Sequence, residues 1–162
     1  MVFDILLLIK KILDRAIEWI CIFIVGLMTV LITYQVVVRY VFNSPSAVSE
    51  ILSRYLFVWL ILFAGAYVFG LREHMEIAFL KNKFPPKLQV VADSISEIVI
   101  ATFAIGVMII GGYSATVRQM FQLDSALQIP IGVIYSAIPI SGAIIVFYSI
   151  CNLATFYHCT KK

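Results

Sequence analysis

Residues 19–38 are 20 consecutive positions without a charged side chain, closed off by Glu18 and Arg39. A helix rises about 1.5 Å per residue, so roughly 20 apolar residues cross the ~30 Å hydrocarbon core of a bilayer. Three more stretches meet or approach that requirement. Residues 55–71 lie between Arg54 and Arg72, and residues 98–117 between Glu97 and Arg118. Residues 125–160 contain no Asp, Glu, Lys or Arg and only His158 near their end, enough for one span and a loop. No ten-residue alternation suits a membrane strand, and lipid-exposed backbone must pair within a helix or a closed barrel. With 62% hydrophobic and 13% charged residues, the composition is far from that of a soluble domain. The expectation is an all-α membrane protein, one domain over residues 1–162. Its four transmembrane helices are placed at about 17–42, 48–71, 94–119 and 131–157.

Basic residues set the expected orientation. Lys10, Lys11, Arg15, Arg72, Lys81, Lys83, Lys87, Lys161 and Lys162 fall on one side, against Arg39, Arg54 and Arg118 on the other. The positive-inside rule then puts both termini in the cytoplasm. The first helix is expected to be retained, because Asp4, Lys10 and Lys11 do not fit a cleaved signal. Cys21 and Cys151 lie within spans and Cys159 in the tail, so a disulfide framework is not expected. The net charge of +3 reflects these loops and no nucleic-acid partner, which would need a concentrated basic stripe.

Amphipathic segments accompany the spans. Lys11, Asp14, Arg15 and Glu18 share one helical face, which fits either a separate interfacial helix near the N-terminus or a wetted extension of the first span. Between helices two and three, residues 74–84 mix Met75, Ile77, Phe79, Leu80 and Phe84 with Glu76, Lys81 and Lys83, as expected of a helix lying on the inner leaflet. Pro85 and Pro86 end that segment and begin helix three. Pro45 marks the turn after the first span, with Ser44 or Ser46 as N-cap of the second and Ser44 favoured. Gly111 and Gly112 suit close helix approach or, as the less favoured alternative, a bend. The pairs Gly132/Ser136 and Ala137/Ser141 suit close approach too, and Pro139 should bend helix four.

Charges near the first turn invite a sharper reading. Arg39 and Glu50 are at matching depth either side of Pro45, and Arg54 lies one turn beyond Glu50. Glu50 is therefore expected to bridge both arginines and to hold the hairpin for a partner, the plain alternative being residues that snorkel to the interface. Trp19 and Trp59 suit interface anchoring or packing. His74 and His158 lack companions for a metal or haem. No nucleophile with a base, phosphate-cradling loop or carboxylate pair can be assembled, so no enzyme is expected.

Arg39, Tyr40, Val41, Phe42 and Asn43, then Pro45, then Ser49 to Tyr55 around Glu50 and Arg54, then Val58 and Trp59, Gly65 and Ala66, and Arg72 to His74 carry a family resemblance. The pattern resembles the small membrane subunit of tripartite ATP-independent periplasmic (TRAP) transporters, the DctQ-like family. Val48 departs from it where relatives often carry tryptophan, and the compact Arg72, Glu73, His74 replaces a longer spacer.

The resemblance implies a bacterial inner-membrane protein working with a large multi-span subunit and a periplasmic substrate-binding protein. The large subunit would carry the substrate and sodium sites and move as an elevator, leaving no cofactor or metal to this chain. The transported solute would be a carboxylate, such as a C4-dicarboxylate or a sialic acid. Arg39, Asn43, Glu50, Arg54, Trp59, Arg72 and His74 become candidates for structure or subunit contact. Two rival functions are a four-span proton antiporter for cationic drugs acting through Glu50, and a membrane anchor for an enzyme complex.

Overall fold

The computed structural model describes residues 2–44, 46–71 and 86–160, with side chains described for 6–44, 46–71, 91–92 and 94–154. Every extended element among them is helical, and four helices are long and apolar enough to span a membrane: Leu6–Val41, Ala47–Gly70, Ser94–Gln119 and Gly132–Ala154. The proposed inner segment at 74–84 lies outside the described residues, as do Arg72 and His74.

Helix α1 (Val2–Val41) is continuous over 40 residues, about 60 Å at 1.5 Å per residue. The N-terminal segment, for which two readings were left open, is continuous in helix with the first span. Arg15 and Glu18 pair at 3.3 Å on its exposed face. Deeper in the span, Thr29 and Thr33 donate their hydroxyls to the carbonyls of Val25 and Thr29 at 2.9 and 2.8 Å. Both hydroxyls are thus satisfied without water.

The chain reverses through Asn43, whose φ of 48° is a left-handed conformation that asparagine tolerates better than most residues. The Ser44 N–H reaches back to the Val38 carbonyl at 3.4 Å. Helix α2 (Ala47–Gly70) is then capped by Ser46, which has extended dihedrals and accepts from the Ser49 N–H at 3.5 Å. Of the two serines expected as alternatives for this cap, Ser46 is the one observed and the favoured Ser44 is not. The Ser44 N–H still serves the end of α1, so the new helix begins two residues later.

The third span is one run of helix in three parts: α3 (Pro86–Phe103), a π-helical segment (Ala104–Gly111) and α4 (Gly112–Gln119). After a loop closed by a single bridge between Leu123 and Pro130, the fourth span comprises α5 (Gly132–Tyr135) and α6 (Ala137–Thr160). The helical run is interrupted at Ser136, between α5 and α6, in the turn before Pro139, where a bend was expected. Pro139 has no N–H for the carbonyl four residues back and crowds it, which accounts for the break one turn earlier.

Ile17 and Ile24 of α1, Phe63 and Phe69 of α2 and Tyr148 of α6 form the buried cluster. Small residues bring the third and fourth spans together. A Cβ on Gly112 would lie 2.9 Å from Ile138 Cγ2, and one on Gly142 would lie 2.7 Å from Met108 Cβ. Ala104, Ala137 and Ser141 are fully buried in the same seam. Gly111, expected to share this role, has no side chain within 4 Å.

Candidate functional site

Polar side chains inside a membrane domain are costly unless paired, so their partners identify what the fold must hold in place. At the hairpin end the tie between α1 and α2 is made by Gln35. Its Nε2 donates to the Ser49 carbonyl at 2.8 Å and to Ser53 Oγ at 3.1 Å. Ser49 and Ser53 are four residues apart and share the face turned to α1. Glu50 lies about 100° further around the helix, off that seam.

This placement corrects the expected bridge. Glu50 pairs with Arg54 on its own helix at 2.7 Å, with side chains 61% and 72% exposed. Arg39 is exposed and makes no ion pair among the described residues. Glu50 therefore joins one arginine and not two, because i,i+4 partners on one helix reach each other more readily than partners across a seam filled by Gln35 and serines. Asn43 occupies the turn. Trp59 is half-buried, meets Phe63 edge to face with ring centroids 5.4 Å apart, and packs against the buried cluster.

A second tie closes the same end. The Tyr55 hydroxyl donates to Asp124 Oδ2, joining α2 to the loop between the third and fourth spans. Asp124 Oδ1 accepts from the N–H groups of Ala126 and Leu127 at 2.9 and 3.1 Å. The Tyr55 hydrogen bond first, then those two N–H groups, holds the Asp124 carboxyl below its ordinary value of 3.8.

At the opposite end, which bears both termini, Tyr148 is fully buried and donates to Asp14 Oδ1 at 2.5 Å. Lys10 Nζ sits 5.8 Å from the centre of the same ring. A Cβ on Gly70 would come within 2.7 Å of that ring, so α2 also closes on it. Nearby, Glu97 of α3 is only 8% exposed. It accepts from Asn152 Nδ2 at 2.9 Å, and Ser149 Oγ lies 2.8 Å from its Oε2.

The sequence reading missed most of these ties. Gln35 was legible as the one amide within an apolar run of 20 residues, and Ser149 with Asn152 as polar residues three apart in the fourth span. Glu97 was read as bounding a charge-free run and as lying off the apolar stripe of helix three, and not as a partner of the fourth span. Among the described residues no three His, Cys, Asp or Glu side chains could hold a metal, and no buried side-chain nitrogen or oxygen lacks a partner.

Residues 28–157 match the DctQ component of tripartite ATP-independent periplasmic transporters. A Haemophilus influenzae protein assigned as a TRAP transporter small permease is 38% identical over 85 residues, 52% of this chain and 53% of that relative. This chain thus matches about half the length of that protein. The sialic acid TRAP transporter small permease protein SiaQ of Vibrio cholerae is 28% identical over 140 residues, 86% of this chain and 80% of the relative.

Proposed function

The chain belongs to the DctQ component family of tripartite ATP-independent periplasmic transporters, and from that premise we propose that it scaffolds a large, sodium-coupled, elevator-type membrane subunit. Small TRAP permease subunits are transporter components and not enzymes. The observation that carries the scaffold reading is where the polar groups are. Gln35, Tyr148, Glu97, Ser149 and Asn152 are tied across helix seams, and the large side chains turned outward along the spans are mostly apolar. Trp19, Phe23, Val30 and Tyr40 of α1 are 63%, 70%, 67% and 76% exposed. Such a body widens and anchors a partner in the bilayer; it does not line a hydrophilic path.

In this reading both termini are cytoplasmic, as the nine-to-three distribution of Lys and Arg favours, in a bacterial inner membrane. Sodium and solute bind in the large subunit, with no cofactor in this chain. A periplasmic binding protein delivers the solute, a carboxylate of the dicarboxylate or sialic acid class; the Vibrio cholerae relative favours the latter. The rival antiporter is disfavoured because Glu50 is exposed and neutralised by Arg54 on its own helix. Co-purification of the tagged chain with a membrane protein of many spans tests the scaffold reading, and recovery of the chain alone from native membranes contradicts it.

A further inference from the structure

The contacts that the third span makes with the fourth are spaced one residue too widely for an α-helix. Midway along the seam, a Cβ on Gly142 would lie 2.7 Å from Met108 Cβ, 3.2 Å from Ile109 Cγ1 and 3.4 Å from the Ala104 carbonyl oxygen. Nearer the hairpin end, a Cβ on Gly112 would lie 2.9 Å from Ile138 Cγ2 and 3.1 Å from Pro139 Cδ. An α-helix turns residues i, i+3, i+4 and i+7 to one side. Counted from Ala104, the contacts through Met108, Ile109 and Gly112 stand at i+4, i+5 and i+8.

The backbone takes up the extra residue. Ala104–Gly111 is π-helical, and the Gly112 N–H is shared between the carbonyls of Val107 and Ile109, five and three residues back. A hydrogen bond to the fifth residue back encloses one residue more than the α-helical bond to the fourth. In a continuous α-helix Gly111 would stand at i+7, against the fourth span. In the fold a Cβ on Gly111 would meet only the Gly106 carbonyl oxygen within 4 Å, at 3.8 Å. One residue is about 100° of turn, so that same α-helix would also carry Arg118, at i+14, to the seam side. Arg118 is instead exposed, and Thr116 is buried with its carbonyl oxygen 2.6 Å from where a Cβ on Gly132 would lie.

We propose that Ala104–Gly111 is a one-residue insert that sets the register of Gly112–Gln119. It lets Ala104 and Gly112 press on the fourth span together, and it keeps Arg118 turned out. Gly106 is the residue the insert can give up, because it is exposed and a Cβ on it would have nothing within 4 Å. Deleting it closes the contact positions to i, i+3, i+4 and i+7, the spacing a plain α-helix serves.

Cysteine pairs read this register directly. A Cβ on Gly112 would lie 3.2 Å from Ile138 Cβ, near the ~3.5–4.5 Å that a disulfide spans. Oxidation of the full chain in native membranes should join the pair G112C and I138C, and should leave G111C with I138C at the level of I138C alone. Deletion of Gly106 should retain the bond between positions 112 and 138, and the purified chain should melt within a few degrees of the wild type. Deletion of Ile140 supplies the contrast. It is exposed between the fully buried Ala137 and Ser141 of α6, a helix with no insert to give up, and its loss should lower the melting temperature well below both. Cross-linking through G111C, none through G112C, or a Gly106 deletion that loses the bond or melts as low as the Ile140 deletion overturns the proposal.

Discussion

Gln35 on α1 reaches across the first hairpin to two acceptors of α2, the Ser49 carbonyl and Ser53 Oγ, at 2.8 and 3.1 Å. The hairpin that displays Arg39, Glu50 and Arg54 is therefore held by an amide and not by those charges. Interhelical hydrogen bonds of this kind contribute roughly 0.6–1.7 kcal/mol in membrane proteins. Replacing Gln35 by Leu should lower the unfolding free energy of the isolated chain by about 1 kcal/mol, measured by denaturant titration in detergent.

Glu50 and Arg54 separate stability from assembly. Their exposed pair is of the kind that contributes between about 0 and 1 kcal/mol. Glu50→Gln should leave the isolated chain's unfolding nearly unchanged while reducing recovery of the large partner in a pull-down. Equal recovery would remove these charges from the interface.

Asp124 predicts an acid limb. Its folded carboxyl is held below the ordinary 3.8 by the Tyr55 hydroxyl and by two backbone N–H groups. The stability this contributes is complete above that ordinary value and is lost as pH falls through the lower, folded one. Unfolding followed from pH 5 downward, about where such a loss begins, should show a decline that Asp124→Asn flattens.

Two glycines give opposite outcomes. Gly142→Ala places a Cβ 2.7 Å from Met108 Cβ and should cost about 1–3 kcal/mol through overpacking of a closed seam. Gly26 has no side chain within 4 Å, so Gly26→Ala should stabilise α1 of the isolated chain by roughly 0.5–1 kcal/mol. Melting temperatures of both variants in the same detergent decide the matter.

Much of the architecture was legible because lipid imposes one rule on backbone groups, and charge-free runs report where that rule operates. The spans around Ile24, Phe63, Gly112 and Tyr148 follow from it. The π-helical stretch at Ala104–Gly111 does not, since no residue type there demands it; it is the part of the span whose Met108 and Ile109 lie against Gly142. Depth matching identified the right hairpin and the wrong linkage. Depth fixes which turn of a helix a residue occupies, whereas the 100° step between Ser49 and Glu50 decides which of them faces the neighbour. Tyr55 with Asp124, and Tyr148 with Asp14, join residues 69 and 134 positions apart, a pairing that one sequence alone does not encode in any local pattern.

Reconstituting this chain, the large membrane subunit and both together in sodium-free vesicles, with sodium and the periplasmic binding protein outside, separates scaffold from transporter. Carboxylate uptake should require the large subunit, and this chain alone should behave as empty vesicles do. Uptake or proton-coupled exchange by this chain alone, abolished by Glu50→Gln, would contradict the scaffold reading.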